Sequence, residues 1–202
     1  MDLVPHFEAS ARSYTISFYD YTYPSESSFL FQLVGTYEAP VSAAYAGGEM
    51  EAKMKYQYRP DDNTLDEHER YVLKGWINET DFNNNTPNPE LYDFENMVFT
   101  NDLKVFAFYG VENAQAVATD SKFFDIIPNT TVAVGDVYVT GSIINLKVDY
   151  AAIIGGKITL PSVDNEGNPI TMIGAFHRNA RITDLYFLPS AQYTCVTNNA
   201  FE

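Results

Sequence analysis

The segment ITMIGAFHRNARITDLYFLPS, residues 170–190, contains two short motifs that occur a second time in the last part of the chain. Its final residues, YFLPS, correspond to ITLPS (158–162), which begins 28 residues earlier, and its Ala175-Phe176 corresponds to Ala200-Phe201, 25 residues later. Repeats of about 20 to 29 residues are typical of solenoids, whose turns bury a core only by stacking. We therefore predict a short solenoid in which a proline ends each strand and the rings of Phe176 and Phe201 share one dry seam.

The repeated segments also resemble a known family. ITMIGAF, ITDLYFLPS and VTNNAFE are similar to the BspA-type leucine-rich repeat of bacterial surface proteins, over about residues 153–202. The resemblance implies a non-enzymatic module that serves as a spacer, in adhesion or in ligand contact. The two offsets differ because the first copy carries an insertion, which we place in VDNEGNP (163–169). Fewer than three full turns are present, so we expect strands around 134–154 to cap one end and a partner chain to cover the other.

Alternation of apolar and polar residues predicts several strands before the repeats. In SYTISFYDY (13–21), Tyr14, Ile16 and Phe18 fall on one face of the strand and the residues between them on the other. Further strands are predicted at AKMKYQYR (52–59), YVLKGWI (71–77) and DLKVFAFYG (102–110). The last of these is apolar on both faces and is therefore expected to be central in its sheet.

These strands carry a second resemblance. YTISFYDY, YVLKGWINETDF and NDLKVFAFYG together are similar to the Listeria-Bacteroides repeat, a small β-grasp-like module of surface proteins. The opening strand, the Gly-Trp after an aromatic strand and the closing aromatic strand of that family correspond to residues 14–21, 71–76 and 103–109. The resemblance implies a second non-enzymatic surface module. Residues 13–110 are longer than the family module, and the surplus lies in 37–66 and 83–95.

The predicted fold is mainly β, of the α+β class, and has four parts. These are an N-terminal arm (1–12), a β-grasp-like domain (13–110), a linker (111–133), and capping strands followed by the leucine-rich-repeat solenoid (134–202). Inside the β-grasp-like domain, APVSAAYAGGEMEA (39–52) is predicted to hold a short helix broken by Gly47 and Gly48. ETDFNNNTPNPELYDFEN (79–96) is predicted to be a long loop, because proline removes main-chain donors and asparagine tolerates left-handed turns.

A strand and a turn are predicted just before the repeats. In IINLKVDY (143–150), the side chains of Ile144, Leu146, Val148 and Tyr150 point to one face. The Gly141-Ser142 step is suited to a tight turn between this strand and the preceding one.

Charge and cysteine content narrow the class of partner. The chain has 27 acidic and 12 basic residues, a formal net charge of -15. Such a charge repels phosphate backbones and anionic membranes, so we expect no nucleic-acid partner and no membrane insertion. No stretch approaches the roughly 18 apolar residues of a membrane span, and MDLVPHFEAS (1–10) lacks the basic and apolar regions of a secretory signal. The one cysteine, Cys195, allows neither an internal disulfide nor a CxxC redox pair.

Two acidic segments are the candidate metal sites. PDDNTLDEHER (60–70) departs from the EF-hand order, because Leu65 stands at a ligand position and no glycine follows. We interpret it as a solvated loop, with adventitious calcium as the alternative. Residues 79–102 contain six acids and no base, which could attract a divalent ion or a basic partner but which we also interpret as surface.

The remaining chemically versatile residues are predicted to be structural. His6, His68 and His177 have no second histidine or cysteine at ligand spacing. Cys195 aligns with Thr171 or Met172 of the preceding repeat and is predicted to be a small, buried apolar residue, and Trp76 is predicted to lie in the core. Phosphate-loop, dinucleotide and nucleophile-elbow motifs are absent from the sequence. We therefore predict no catalytic, cofactor-binding or metal-binding residue.

These observations favour a non-enzymatic assembly protein. The chain has 15 tyrosines, a residue enriched at the centres of interfaces, so we expect a surface that contacts other protein subunits, including further copies of this chain. Surface modules without an export signal suit a bacteriophage virion, as a capsid, tail or fibre component, because lysis releases such particles. The alternative is an adhesin or receptor-binding fragment of a secreted bacterial protein, whose ligand lies on a host surface. A glycan hydrolase with two catalytic carboxylates is the third hypothesis, but no spacing singles out a pair.

Overall fold

The computed structural model of the protein describes residues 12–45, 50, 59–148, 154–176, 181–197 and 200–201. Strands account for 46% of the residues and helices for 11%, which confirms the prediction of a mainly β fold. Contacts between Cα atoms divide the chain into two compact units. Unit 1 comprises residues 1–55 and 74–109, and unit 2 comprises residues 56–73 and 110–202.

The strands follow one another along the chain with few helical segments between them. In chain order they are β1 (Ser13–Tyr19), β2 (Phe29–Thr36), β3 (Glu69–Ile77), β4 (Leu103–Asn113), β5 (Phe124–Val134), β6 (Val137–Leu146), β7 (Gly156–Leu160), β8 (Ile170–Ile173), β9 (Ile182–Phe187) and β10 (Cys195–Val196). Among the residues that the structure describes, the helical ones form α1 (Glu79–Asn84) and 3₁₀ turns at Glu26–Ser28, Val41–Ala44 and Ser121–Phe123, and Met50 and Val148 are helical as well. β3 and β4 contribute to both units, since residues 69–73 and 110–113 belong to unit 2.

The sheet that starts in unit 1 has the strand order β2-β1-β4-β3. β1 pairs antiparallel with β2 and parallel with β4, and β4 lies between two strands, as its two apolar faces predict. Tyr14, Ile16 and Phe18 of β1 are all buried, which confirms the predicted alternation. The indole of Trp76 is also buried and meets the Phe18 ring edge-on, with 4.8 Å between centroids, so its predicted place in the core is confirmed.

Some segments of unit 1 differ from the sequence-based prediction. Residues 79–96, predicted as a loop, begin with α1, because the Asn78 side chain accepts a hydrogen bond from the Asp81 N–H at 2.8 Å and acids occupy the first turn. β2 is not among the predicted strands, since FLFQLVGT does not alternate regularly. In residues 39–52, Val41–Ala44 form a 3₁₀ turn and Met50 is helical, while Gly47 and Gly48, where the predicted helix breaks, lie outside the described residues. The predicted arm (1–12), the predicted strand at 52–59 and residues 46–49 lie, apart from Arg12 and Arg59, outside the described residues.

Unit 2 contains three parallel ladders beside the antiparallel pair of β5 and β6. β6, β8 and β10 are successive neighbours and run parallel, and β7 pairs parallel with β9. Ile158 lies opposite Leu185, one residue away from the partner that the sequence alignment gives. The hydroxyls of Ser162 and Ser190, however, meet at 3.0 Å, in agreement with that alignment. The two Leu-Pro segments therefore lie side by side in parallel.

The core of unit 2 contains residues from both of its sheets, β10-β8-β6-β5 and β7-β9. Its buried apolar members are Phe123, Phe124, Ile144, Leu146, Ile154, Ile158, Leu160, Ile170, Ile173 and Phe176. The Phe176 ring lies 5.4 Å from the Phe201 ring, and the Phe176 N–H donates to the Ala200 carbonyl at 2.7 Å. The two Ala-Phe pairs thus pack together as predicted. The seam is dry on the Phe176 side only, because Phe201 is 56% exposed.

The region before the repeats departs from prediction. Residues 111–133, predicted as a linker, contain the end of β4 and most of β5, which pairs antiparallel with β6. The tight turn is at Gly135-Asp136, where Gly135 has a φ of 60°, whereas residues 141–142 lie within β6. β6 ends at Leu146, so Val148 is exposed rather than buried with it, and Tyr150 lies outside the described residues.

A buried arginine ties residues 56–73 to the rest of unit 2. The Arg70 side chain is 7% exposed and lies 3.5 Å from the carboxylate of Glu112. Its guanidinium donates hydrogen bonds to the hydroxyls of Thr119 (3.0 Å) and Thr159 (2.9 Å) and to the carbonyls of Val117 (2.9 Å) and Lys157 (3.1 Å). The prediction that placed residues 56–73 with the domain at 13–110 therefore differs from the structure, because this side chain binds within unit 2.

Replacement of Arg70 tests this arrangement. Arg70→Met removes the guanidinium and leaves the carbonyl and hydroxyl groups around it without their donor, so we expect a loss of about 3 to 5 kcal/mol in the free energy of unfolding. Arg70→Lys keeps the charge but not the planar fork, and we expect an intermediate loss. Urea unfolding followed by circular dichroism measures both. A methionine variant as stable as the wild type would contradict the assignment.

The close approach of Gly174 to Asn145 gives a second stability test. A Cβ added to Gly174 would lie 2.0 Å from Oδ1 of Asn145 and 2.9 Å from Cδ1 of Ile143, while the same Oδ1 accepts the Ala175 N–H at 2.9 Å. We expect Gly174→Ala to destabilise the protein by about 1 to 3 kcal/mol through overpacking. The double variant with Asn145→Ala should lose less than the sum of the two single losses, because the clash is then relieved. Strict additivity in urea unfolding would refute the contact.

Candidate functional site

The face of the unit 1 sheet opposite the Trp76 core combines polar and aromatic side chains. Thr15, Ser17 and Tyr19 alternate along β1 with the buried residues. In the parallel pairing with β4, Ser17 lies opposite Lys104 and Tyr19 lies opposite Phe106. Because paired residues of adjacent strands share a face, this face is polar toward the start of β1 and aromatic toward its end.

The aromatic half is a cluster of four partly exposed rings around a buried one. Phe106 is fully buried. Its ring stacks on those of Tyr19 (5.5 Å) and Phe82 (4.7 Å) and meets that of Tyr23 edge-on (4.8 Å). Phe29, which is 48% exposed, completes the cluster beside Tyr19 at 5.8 Å. We call the rings of Tyr19, Tyr23, Phe29 and Phe82 the aromatic surface.

Separate elements bring these rings together. Tyr19 ends β1, Phe29 begins β2, Phe82 lies on α1, and Tyr23 is in the turn that follows β1. The Tyr23 hydroxyl donates to the Glu79 carboxylate at 3.4 Å, which links that turn to the first residue of α1. α1, which begins at that residue, carries Phe82, whose ring stacks on Phe106.

One cation lies beside the aromatic surface. The Lys104 amine is 5.9 Å from the ring centroids of both Tyr19 and Tyr23, within the range of a weak cation–π contact. It stands at the junction of the two halves of the face, because Ser17 is its partner across the ladder.

The polar half holds a shallow cavity of about 320 Å³. It is lined by Thr15, Ser17, Asp102, Leu103 and Lys104. One carboxylate oxygen of Asp102 accepts the Thr15 N–H at 2.7 Å, so it serves the backbone of β1, and the hydroxyls and the amine provide the remaining polar groups. Flat apolar rings next to a few hydrogen-bonding groups can bind a protein loop or a sugar.

The acidic segment 60–70 is mostly exposed, and two of its carboxylates bind other protein groups. The Asp62 carboxylate accepts hydrogen bonds from the hydroxyl (2.5 Å) and the N–H (3.0 Å) of Thr64. It also accepts one from the Tyr71 hydroxyl (3.1 Å) and forms an ion pair with Arg59 at 3.3 Å. These bonds, led by those from Thr64, lower the pKa of Asp62 to about 2. Asp61 pairs with Lys157 at 3.1 Å. Both acids therefore bind protein groups of unit 2.

Of the other residues predicted to be structural, His68 and Cys195 are among the described residues. His68 contacts the Tyr186 hydroxyl through Nδ1 at 3.4 Å, and His6 and His177 lie outside the described residues. Cys195 pairs with Met172, one of its two predicted counterparts, but is half-buried rather than buried. Within 79–102, the carboxylate of Asp93 accepts hydrogen bonds from Asn96. In the part of the chain that the structure describes, no three His, Cys, Asp or Glu side chains group as a metal site would require.

Two features of these sites were beyond the sequence-based prediction. Arg70 had no distinguishing signal, because a single arginine before an apolar strand usually points to solvent. Phe82 lay in a segment predicted as a loop. The only signal for the aromatic surface was the second apolar face of 102–110, which showed that something must cover Phe106 but not what.

Comparison with known proteins adds no relative. The chain matches no protein-family model, no curated protein and no solved structure. Among the described helices, none has the length and apolar character needed to cross a membrane. Inferences about function therefore depend on the residues of this chain.

The lowered pKa of Asp62 predicts a dependence of stability on pH. A carboxylate whose folded-state pKa lies below its ordinary value of 3.8 stabilises the fold above that pH and loses the effect as the pH falls toward about 2. We expect the wild type to be more stable than Asp62→Asn at neutral pH and the difference to vanish near pH 2. Glu67→Gln, which removes an exposed charge from the same loop, is the control. A difference that is constant with pH would refute the role of ionised Asp62.

Proposed function

We propose that the chain is a non-enzymatic structural and recognition protein displayed on a larger assembly, most suitably a bacteriophage virion, as a capsid, tail or fibre component. The observation that carries the proposal is the aromatic surface. Four rings stay partly in water; three of them pack on the buried ring of Phe106, and Phe29 packs on Tyr19. Rigid, amphipathic aromatic side chains supply contact area at low entropic cost, which is the usual composition of an interface centre.

The geometry of unit 2 supports a short leucine-rich-repeat solenoid. Parallel strands recur at the spacing of the repeats, and side chains stack between turns, as Phe176 does on Phe201 and Ser162 on Ser190. The Asn145 side chain bonds the backbone of the following turn. β6, which lies within the residues expected to cap the repeats, pairs parallel with β8. Stacked repeats build extended surfaces, which suits a module made for contact with other proteins.

The sheet of unit 1 supports the β-grasp-like assignment. A β1-β2 hairpin is followed by further strands, and the last of them, β4, returns to pair parallel with β1 at the centre of the sheet. Both modules belong, by resemblance, to protein surfaces rather than to enzymes. The two resemblances therefore point to the same class of function.

The shallow cavity beside the aromatic surface favours an adhesin or receptor-binding role as the second candidate. Its hydroxyls from Thr15 and Ser17 and the Lys104 amine could bond the hydroxyls of a host-surface glycan while a ring contacts the sugar face. In that case the partner would be a saccharide rather than a protein subunit.

Purified particles and one surface variant test the proposal. We expect purified phage particles from the source culture to contain the chain at a fixed ratio to the major capsid protein, as measured by mass spectrometry. Phe29→Asp places a charge on the aromatic surface and should lower incorporation of the tagged chain by about tenfold or more, as loss of an interface anchor does. Val98→Asp, at a residue of unit 1 that is 52% exposed outside that surface, should incorporate normally.

The outcomes separate the candidate functions. Particles without the chain would rule out the virion. Binding of the isolated chain to bacterial-surface glycans, lost in Phe29→Asp and kept in Val98→Asp, would favour the adhesin. Turnover of a polysaccharide that a single Asp or Glu substitution abolishes would overturn the non-enzymatic assignment altogether.

A further inference from the structure

Tyr23 and Glu79 form a hydrogen-bonded pair at the edge of the aromatic surface. The Tyr23 hydroxyl donates to the Glu79 carboxylate at 3.4 Å. The Phe82 ring stands nearly perpendicular to the Tyr23 ring, at 77° with 6.2 Å between centroids. Phe82 follows Glu79 by three positions on α1, so the two side chains lie on the same side of that helix. We call Tyr23, Phe82 and Glu79 the aromatic corner.

The same kind of pair occurs in unit 2, where it has a third member. The Tyr71 hydroxyl donates to the Asp62 carboxylate at 3.1 Å. The Arg59 guanidinium lies over the Tyr71 ring, 3.7 Å from its centroid, and forms an ion pair with the same carboxylate at 3.3 Å. One planar cation therefore binds the face of the ring and the carboxylate together. Beneath this cover Tyr71 is 8% exposed.

The aromatic corner has the tyrosine and the carboxylate but lacks such a cation. Of the ion pairs formed by the described residues, none involves Glu79, which is exposed, and Tyr23 is half-buried. The Lys104 amine lies 5.9 Å from the Tyr23 centroid, at the outer limit of a cation–π contact. It does not stack on the ring as Arg59 does in unit 2. The position that a guanidinium occupies there is therefore open here.

The charge around the corner favours a basic ligand. Residues 13–36 and 75–103, which carry the four rings of the aromatic surface, contain eight acids and no lysine, arginine or histidine. The net charge of the whole chain is -15. Such a potential attracts basic groups and repels the phosphates of nucleic acids and of anionic lipids. Phe29, which is 48% exposed and packs on Tyr19, offers an apolar contact on the same surface. A polypeptide can supply the cation and the apolar side chains together.

We infer that the aromatic corner accepts an arginine side chain of a partner protein, whose guanidinium packs on the Tyr23 ring and pairs with the Glu79 carboxylate. The inference rests on the proposed recognition role and specifies the chemistry of the partner. Arginine fits better than lysine, because a planar guanidinium stacks on a ring while its in-plane N–H groups reach a carboxylate at the edge. An apolar residue next to that arginine then covers Phe29.

Titration of the intact chain with short peptides tests the inference. The probe is a capped pentapeptide with an arginine between two phenylalanines, and the matched peptides carry lysine or the neutral isostere citrulline in place of the arginine. Amide chemical shifts in NMR spectra measure binding up to about 5 mM peptide. We expect shifts at the aromatic corner and an affinity about fivefold higher for the arginine peptide than for the citrulline peptide. The lysine peptide should lie between them.

Variants of unit 1 locate the contact. Glu79→Gln removes the charge but keeps an acceptor for the Tyr23 hydroxyl, so it should weaken binding of the arginine peptide about threefold without disturbing the fold. Glu90→Gln removes the same charge from another exposed position of unit 1 and should leave the affinity unchanged. Lys104→Ala removes a repulsive charge beside the corner and should strengthen binding about twofold. For a saccharide, which the Lys104 amine would bond, the same variant should weaken binding.

Several results would overturn the inference. These are equal binding of the arginine and citrulline peptides, an absence of shifts at the aromatic corner, equal losses in the two glutamine variants, or weaker binding in Lys104→Ala. The proposed function would survive such a failure if Phe29→Asp still lowered incorporation into particles, since the partner would then contact the rings without a cation. Normal incorporation of Phe29→Asp would count against the proposed function itself.

Discussion

The burial of the Arg70 guanidinium is the interaction on which the construction of unit 2 depends. Removing such a cation from water costs several kcal/mol, and only oxygen acceptors placed around it offset that cost. The acceptors here come from residues as far away in sequence as Thr159, 89 positions later. A planar guanidinium accepts few orientations, so it also fixes how residues 56–73 meet residues 110–202.

The sheet of unit 1 carries aromatic residues on both faces, and each face is covered differently. On one face Phe18, Trp76 and their neighbours form a closed core. On the other, Phe106 is shielded by rings that are themselves partly in water. A helix of six residues and one turn cover this face, which is too little to bury it. The exposed aromatic area is therefore a direct result of how short that cover is.

Elements held by interactions between residues near in sequence could be predicted, whereas contacts between residues distant in sequence could not. β1 could be predicted because apolar and polar residues alternate along it. The contacts of the Ala-Phe and Leu-Pro-Ser segments could be predicted because each segment occurs twice in the sequence, and repeated segments of this kind pack against one another. α1 was missed because the capping bonds of Asn78 were outweighed by an Asn- and Pro-rich composition. The surroundings of Arg70 and Phe106 were beyond prediction, because their partners are distant in sequence and carry no periodic signal.

The chain contains a single tryptophan, and the Phe18 ring lies against it in the unit 1 core. Its fluorescence, excited selectively at the red edge of the aromatic absorption band, therefore monitors the melting of one unit while remaining silent about the other. A far-ultraviolet signal reports both. The offset between the two optical transitions then shows, without any labelling, whether the units unfold together or in sequence.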